Sequence, residues 1–362
     1  MALTSLTGQE HAKAQIGAWL SANRLPHAIL IAGPLGSGKR QLALELAKAI
    51  NCLTPGDDAC DQCSSCRKAD SLNHPNLHLL LPVPTGSRTS TDSEAMAALR
   101  ESALEQIRGQ STATRTGTNI SKDSIRLLQK EMSFAPTEAP HRVGLILQAE
   151  AMLAAGANSL LKILEEPPGK SIFILVSDAP DRLLPTILSR CQRLQLRSLT
   201  VSEQSERLQQ DGAEQERADL AARLAASGGI RASDVIRGEE FDELRELVRR
   251  FIGAGIQGSE QDYWDVLQDL GGRPDRQQLE GFLQLCSAYL RDLFLVQQKQ
   301  DADIANIDEK QNLHAWAQGL LPNRIELVAQ VLDQAYDSLS RNVNPQLLLA
   351  DLWYHLQRAR AA

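Results

Sequence analysis

Short, unbroken apolar runs recur through the first two hundred positions: Ala28-Ile29-Leu30-Ile31-Ala32, Val143-Gly144-Leu145-Ile146-Leu147 and Ile172-Phe173-Ile174-Leu175-Val176, with a further candidate at Leu77–Leu81. Runs of this length without polar alternation suit strands buried on both faces. Between them the pattern turns helical. His11–Asn23 carries Ala14, Ile16, Trp19 and Leu20 toward one side, and Gln41 to about Ile50 forms a second helix. A third opens after Ser121, a plausible N-cap. Ala154–Glu165 is stopped by Pro167-Pro168-Gly169, and Leu183–Arg190 follows as helix. Strands alternating with helices predict a parallel sheet.

After Leu199 the pattern is almost wholly helical. Val201–Ala226, with a loop near Asp211-Gly212, and Ile230–Arg237 suit a small helical domain over 199–239. Amphipathic helices at about 240–253, 259–270, 276–298, 310–320, 323–340 and 345–360 suit a second over 240–362. Gly253-Ala254-Gly255 reads as a loop between the first two of these. Residues 85–118, polar and threonine-rich around a helix-like stretch at Glu94–Arg108, read as an insertion in the first domain, 1–198.

The net charge is −7 and no basic run dominates, which argues against tight independent binding to a nucleic-acid backbone. No apolar run reaches the ~18 residues a membrane span needs, and Met1–Glu10 lacks the pattern of a signal peptide, so a cytoplasmic protein is expected.

Gly33-Pro34-Leu35-Gly36-Ser37-Gly38-Lys39-Arg40 joins the first apolar run to the next helix. A glycine loop between strand and helix is the context of a phosphate-binding loop. Gly33, Gly36 and Gly38 free the backbone to converge on phosphate oxygens, and Lys39 would reach the outer phosphates of ATP or ADP. An ordinary strand-to-helix turn is the bland alternative. The motif should end in Ser or Thr, whose hydroxyl ligates Mg²⁺, but it ends in Arg40. The acidic residue expected at the end of a neighbouring strand is missing too. Gln148 and Ala149 follow Leu147, and the first carboxylate is Glu150. Two metal-related positions fail together, so a site without hydrolysis is expected, with nucleotide occupancy open.

Cys52, Cys60, Cys63 and Cys66 form C-x7-C-x2-C-x2-C among Asp57, Asp58, Asp61 and Gln62. Four thiolates in tight turns suit a closed, structural zinc site. His74 and His78 are not needed as ligands. Cys191 and Cys286 read as plain buried thiols.

Leu160-Leu161-Lys162-Ile163-Leu164-Glu165-Glu166-Pro167-Pro168 and Thr186-Ile187-Leu188-Ser189-Arg190-Cys191 come next in distinctiveness. With Gly8-Gln9-Glu10, Arg24-Leu25-Pro26-His27-Ala28, the altered loop, the four cysteines and Ala157-Asn158-Ser159, they give a chain that resembles the AAA+ clamp-loader family. The resemblance is strong over residues 1 to about 200 and weak beyond.

It implies a RecA-like α/β AAA+ module with a parallel sheet, then a helical lid and an all-α C-terminal collar domain. It also implies that Arg190 acts as an arginine finger in the ATP site of an adjacent subunit. Ser177 or Asp178 lies where the family senses γ-phosphate, and Arg231 near a second sensor. The implied role is a non-hydrolysing subunit of the complex that loads a sliding clamp onto primed DNA. Its partners would be loader subunits of gamma/tau and delta types, with the clamp contacted indirectly. The rivals are an active, gamma-like ATPase motor and a zinc-containing nucleic-acid-binding module.

Overall fold

The computed structural model describes residues 2–54, 56–84, 100–105, 107, 118–271, 274–321, 324–339 and 343–360. They form two units, Met1–Leu199 and Thr200–Ala362.

The first unit opens with α1 (Glu10–Ser21), β1 (Ala28–Ala32), α2 (Lys39–Ile50) and α3 (Ser64–Asp70). Then come β2 (Leu77–Leu80), β3 (Val83–Pro84), β4 (Thr118–Asn119), α4 (Lys122–Met132) and β5 (Arg142–Ile146). It closes with α5 (Ala154–Glu165), β6 (Ser171–Ser177), the short α6 (Pro185–Leu188) and β7 (Gln192–Gln195). The main sheet is parallel throughout, in the order β2-β5-β6-β1-β7.

Alternating side chains divide the unit's core in two, as the two-residue period of a strand requires. Ile29 and Ile31 face α1 and α2, with Val143, Leu145, Ile172 and Ile174. Ala28, Leu30 and Ala32 face α4 and α5, with Phe173, Leu175, Leu160 and Ile163. Both faces of the sheet are covered, which is why these strands read as continuous apolar runs. Ser121 caps α4, its hydroxyl accepting from Ser124 N–H at 3.2 Å.

β7 was not expected. Its pattern, Gln192-Arg193-Leu194-Gln195, exposes three residues of four and buries only Leu194. The short helix before it is confined to Pro185–Leu188. Of the expected insertion, 85–99, 106 and 108–117 lie outside the described residues. Residues 100–105 are helical, and Ala103 and Ile107 join the core.

The second unit is helical: α7 (Val201–Gln210), α8 (Gln215–Ala226), α9 (Ala232–Ile236), α10 (Glu239–Gln257), α11 (Glu260–Asp269), α12 (Arg276–Gln297), α13 (Lys310–Gln318), α14 (Ile325–Ser338) and α15 (Pro345–Arg358). One core runs through Leu220, Leu224 and Val235 as well as Phe251, Phe282, Tyr289 and Leu352. Buried Asp292 accepts from the backbone of Ala305 and Asn306, while Arg245 grips Asn306 and Asp308, fixing the segment between α12 and α13. Cys286 is core, as expected.

Gly253-Ala254-Gly255 is not a loop but the interior of α10. A Cβ on Gly253 would lie 3.3 Å from Trp316, and one on Gly255 2.9 Å from the Leu356 Cβ. The glycines let two neighbouring elements approach α10 closely, and that packing overrides their poor helix propensity. No helix among the described residues is long and apolar enough to cross a membrane.

Candidate functional site

The glycine loop leaves β1 at Gly33, where there is no room for a side chain: a Cβ would lie 2.9 Å from Leu196. Gly36 and Gly38 have φ of 79° and 82°, and Gly38 opens α2 from the left-handed region. Gln9 ties the loop down, its Nε2 donating to the carbonyls of Ser37 at 3.1 Å and Arg197 at 2.8 Å. This is what the Gly8-Gln9-Glu10 stretch does locally.

Lys39 does not stand free over the loop. Only 4% of its side chain is exposed, its ammonium donates to the Pro34 carbonyl at 2.8 Å, and it is ion-paired to Asp178. Burial lowers its pKa against the pull of Asp178. Arg40 joins the same carboxylate, Nη2 to Oδ2, at 3.3 Å. The loop's own groups are also used internally: Ser37 N–H donates to Pro34 and Gly33 N–H to Ser177.

β1 is flanked by β6 and β7, and β5 lies beyond β6. Asp178, just past the end of β6, therefore falls next to the loop. Its N–H donates to Glu150 Oε1 at 3.3 Å. Gln148, buried with φ of 51°, occupies the end of β5 where a metal-binding carboxylate was sought. Glu150, two residues further on, is carried back by the turn Ala149–Ala151 so that its carboxylate accepts from Asp178 N–H. Two cations and two carboxylates thus gather at the loop, and their charges cancel.

Cys52, Cys60, Cys63 and Cys66 converge, with all four Sγ atoms within 4.8 Å of one another. The Cys60–Cys66 separation is 4.0 Å. A tetrahedron with metal–sulfur bonds of about 2.3 Å has edges of about 3.8 Å, so the cluster fits such an ion. Backbone N–H groups also point at the sulfurs: Cys60 to Cys52 at 3.4 Å, Cys63 to Cys60 at 3.3 Å and Cys66 to Cys63 at 3.4 Å. The N–H groups of Gln62 and Cys63 draw the Cys60 thiol down to about 6, whereas burial raises that of Cys66. His74 and His78 stay outside the cluster. His74 Nδ1 accepts from Asn76 N–H at 3.0 Å, and His78 Nε2 lies 2.8 Å from Arg142.

Sequence reasoning missed Lys48. It is fully buried, and its ammonium meets Glu45 at 2.8 Å, Asp61 at 2.5 Å and Asp70 at 2.8 Å. One lysine therefore joins α2, the cysteine loop and α3. Within α2 alone it looks like an ordinary polar position; only the fold of the loop explains it.

Arg190 lies beyond α6, one-third exposed, with Nη2 2.7 Å from Glu165 Oε1. Its Nη1 donates to the Thr186 carbonyl at 2.9 Å and to Ser189 Oγ at 3.4 Å. It is well away in sequence from the loop it accompanies, and the contacts above do not join it to Lys39. Cys191 beside it is partly buried, its thiol pushed up to about 11 by desolvation, which disfavours a nucleophilic role. Arg231 is the N-cap residue of α9, in the second unit.

The chain is 33% identical over 229 residues to the DNA polymerase III subunit delta' of Bacillus subtilis, an alignment covering 63% of this chain and 59% of that protein. It is 33% identical over 195 residues to the DNA polymerase III subunit gamma/tau of Mycobacterium tuberculosis, covering 54% of this chain and 28% of the other. The chain thus spans less than two thirds of the length of the curated relatives it matches. In fold it matches the crystal structure of a DNA polymerase III, gamma subunit-related protein from Thermotoga maritima, with a TM-score of 0.50 and 16% identity over 95% of this chain and 99% of that one. The parallel α/β sheet followed by a helical C-terminal region is the fold that the resemblance implied. The family model described as DNA polymerase III, delta subunit matches residues 8–200, more than half of the chain, and the protein belongs to that family.

Proposed function

We propose that the chain is a delta-prime-type subunit of the DNA polymerase III clamp loader that does not hydrolyse ATP itself. The observation that carries this reading is the state of Lys39. The ammonium that would meet the outer phosphates is buried against Asp178, and Arg40 stands where a hydroxyl would hold Mg²⁺. A hydrolytic loop needs a free lysine, a metal-holding hydroxyl and an acidic end on the metal-binding strand; here Lys39 is tied to Asp178, Arg40 replaces the hydroxyl, and Gln148 follows β5.

Arg190 then supplies the chain's contribution to catalysis. A guanidinium reaching a neighbouring subunit's ATP would stabilise charge developing on the γ-phosphate. A subunit can keep such a group after losing its own site, because the two serve different interfaces. The neighbours are gamma/tau-type and delta-type subunits in the cytoplasm, and the assembly places a sliding clamp on primed DNA. Cys52, Cys60, Cys63 and Cys66 would hold one zinc ion that shapes the loop they belong to. Residues 199–239 are read as the lid and 240–362 as the collar.

Steady-state ATPase assays test the proposal. The isolated chain should turn over ATP far below the ~1 s⁻¹ of a competent enzyme. Arg190→Ala should leave assembly intact and slow the complete loader. The similarity to gamma/tau subunits favours one alternative, an active motor. Turnover by the isolated chain near 1 s⁻¹, abolished by Lys39→Ala, would establish that alternative instead.

A further inference from the structure

α5 ends against its own dipole. The C-terminal end of a helix carries partial negative charge and favours cations. Lys162 obeys this in the last turn, but the helix finishes on Glu165 and continues into Glu166 before the two prolines. Carboxylates placed against local preference point to a use beyond folding. Glu165 has one: its Oε1 meets Arg190 Nη2 at 2.7 Å. The pair is half exposed, 34% for Arg190 and 51% for Glu165, and exposed pairs add little to stability.

The contact geometry is that of a holder. A guanidinium has five N–H donors. Nη1 uses two, on the Thr186 carbonyl and Ser189 Oγ, while Nη2 is held to Glu165 by charge, as an ion pair. That leaves the Nε and Nη2 hydrogens without a hydrogen-bond acceptor among the described residues. A bidentate clamp would consume the fork that phosphate recognition needs. A single-oxygen ion pair restrains the group from one side and leaves that edge open. α6 is only four residues long and fixes just one nitrogen, so the second anchor comes from α5.

We infer that Glu165 is a positioning residue for Arg190, holding its guanidinium preset for an anion presented by a neighbouring subunit. The inference rests on the reading of Arg190 as a finger. Without Glu165 the arginine pivots about Nη1 and must be ordered at each encounter, a loss of orientation that falls on kcat.

The test is ATP hydrolysis by the reconstituted loader, with clamp and primed DNA, containing Glu165→Ala, Glu165→Gln, Arg190→Ala or the Glu165→Ala/Arg190→Ala double variant. Glu165→Ala should lower kcat about tenfold with little change in KM. Glu165→Gln, which keeps an acceptor oxygen at the same reach, should recover most of that loss. In the Arg190→Ala background, Glu165→Ala should cost nothing more, because a residue acting through another shows no independent effect. Subunit assembly, checked by gel filtration, should be unchanged. A Glu165→Ala kcat within twofold of the parent, or an equal loss in both backgrounds, overturns the inference while Arg190 stays a finger. No loss in Arg190→Ala itself overturns the finger reading, and this inference with it.

Discussion

Arg40 and Asp178 lie 138 positions apart in sequence and meet at 3.3 Å, Nη2 to Oδ2, across the mouth of the glycine loop. The same carboxylate pairs with Lys39, so one acid from the end of β6 contacts both cations that open α2, and Glu150 behind it supplies the second negative charge. A nucleotide phosphate would compete for the same ammonium.

Removing that acid exposes the competition. Asp178→Asn leaves the buried Lys39 ammonium without its counter-ion, and breaking a buried pair from one side costs about 3 kcal/mol. The variant should unfold at lower urea concentration in phosphate-free buffer. Inorganic phosphate should then restore part of the loss, because an anion bound only by the folded state raises its stability. The parent chain should respond much less. A variant as stable as the parent without phosphate would show that the Lys39–Asp178 pair contributes nothing.

The four cysteines predict metal content. Purified protein should carry about one zinc per chain, and none in Cys66→Ala. A strong chelator should lower the melting temperature of the parent but not of the variant, because binding to the folded state alone is folding free energy. Metal-free protein with unchanged thermal stability would remove zinc from the picture.

Lys48 links that loop to the rest of the fold, which gives it two readouts. Lys48→Met keeps the length and removes the charge, leaving Glu45 buried and Asp61 and Asp70 unpaired by it. The cost should be about 3 kcal/mol in denaturant unfolding, at the low end for a buried network because the two aspartates are partly exposed. Asp61 sits between Cys60 and Cys63, so loss of its partner should also weaken zinc retention about tenfold in competition with a chromogenic chelator. Unchanged zinc affinity would confine Lys48 to packing.

The two kinds of feature differ in how they show in a sequence. Gly33–Gly38 and the cysteine quartet are local: their spacing already determines what the backbone can do, and the structure has the glycine turn between β1 and α2 and the four sulfurs converged. Lys39–Asp178, Glu150–Asp178, Lys48–Asp61 and Glu165–Arg190 join separate elements, and only the strand order and turn geometry bring them together. Gly253 and Gly255 misled for a related reason. Glycine signals a loop when only its own segment is considered, but here Trp316 and Leu356 need the space. β7 escaped because a strand at the sheet's edge needs only one buried side chain, Leu194.

Acid should weaken the first unit through His78. Arg142 is only ever a donor, so the 2.8 Å contact from its Nη1 makes His78 Nε2 the acceptor and the ring neutral. Burial lowers the His78 pKa to about 4, with Arg142 and His74 acting in the same direction. The unfolded ring protonates near 6.5. Between these values the unfolded chain binds the extra proton, so the stability His78 contributes is complete above pH 6.5 and declines as the pH falls toward 4. At pH 5 the loss should be on the order of 2 kcal/mol. His78→Gln, which keeps a polar group beside Arg142, should flatten that part of the stability curve. His74 and His141 are shifted the same way and will retain some slope, which is why the variant is needed. Titration of the imidazole by NMR gives the independent check: His78 should remain neutral at pH 5, and a midpoint near 6.5 would show that its contact with Arg142 does not set its charge.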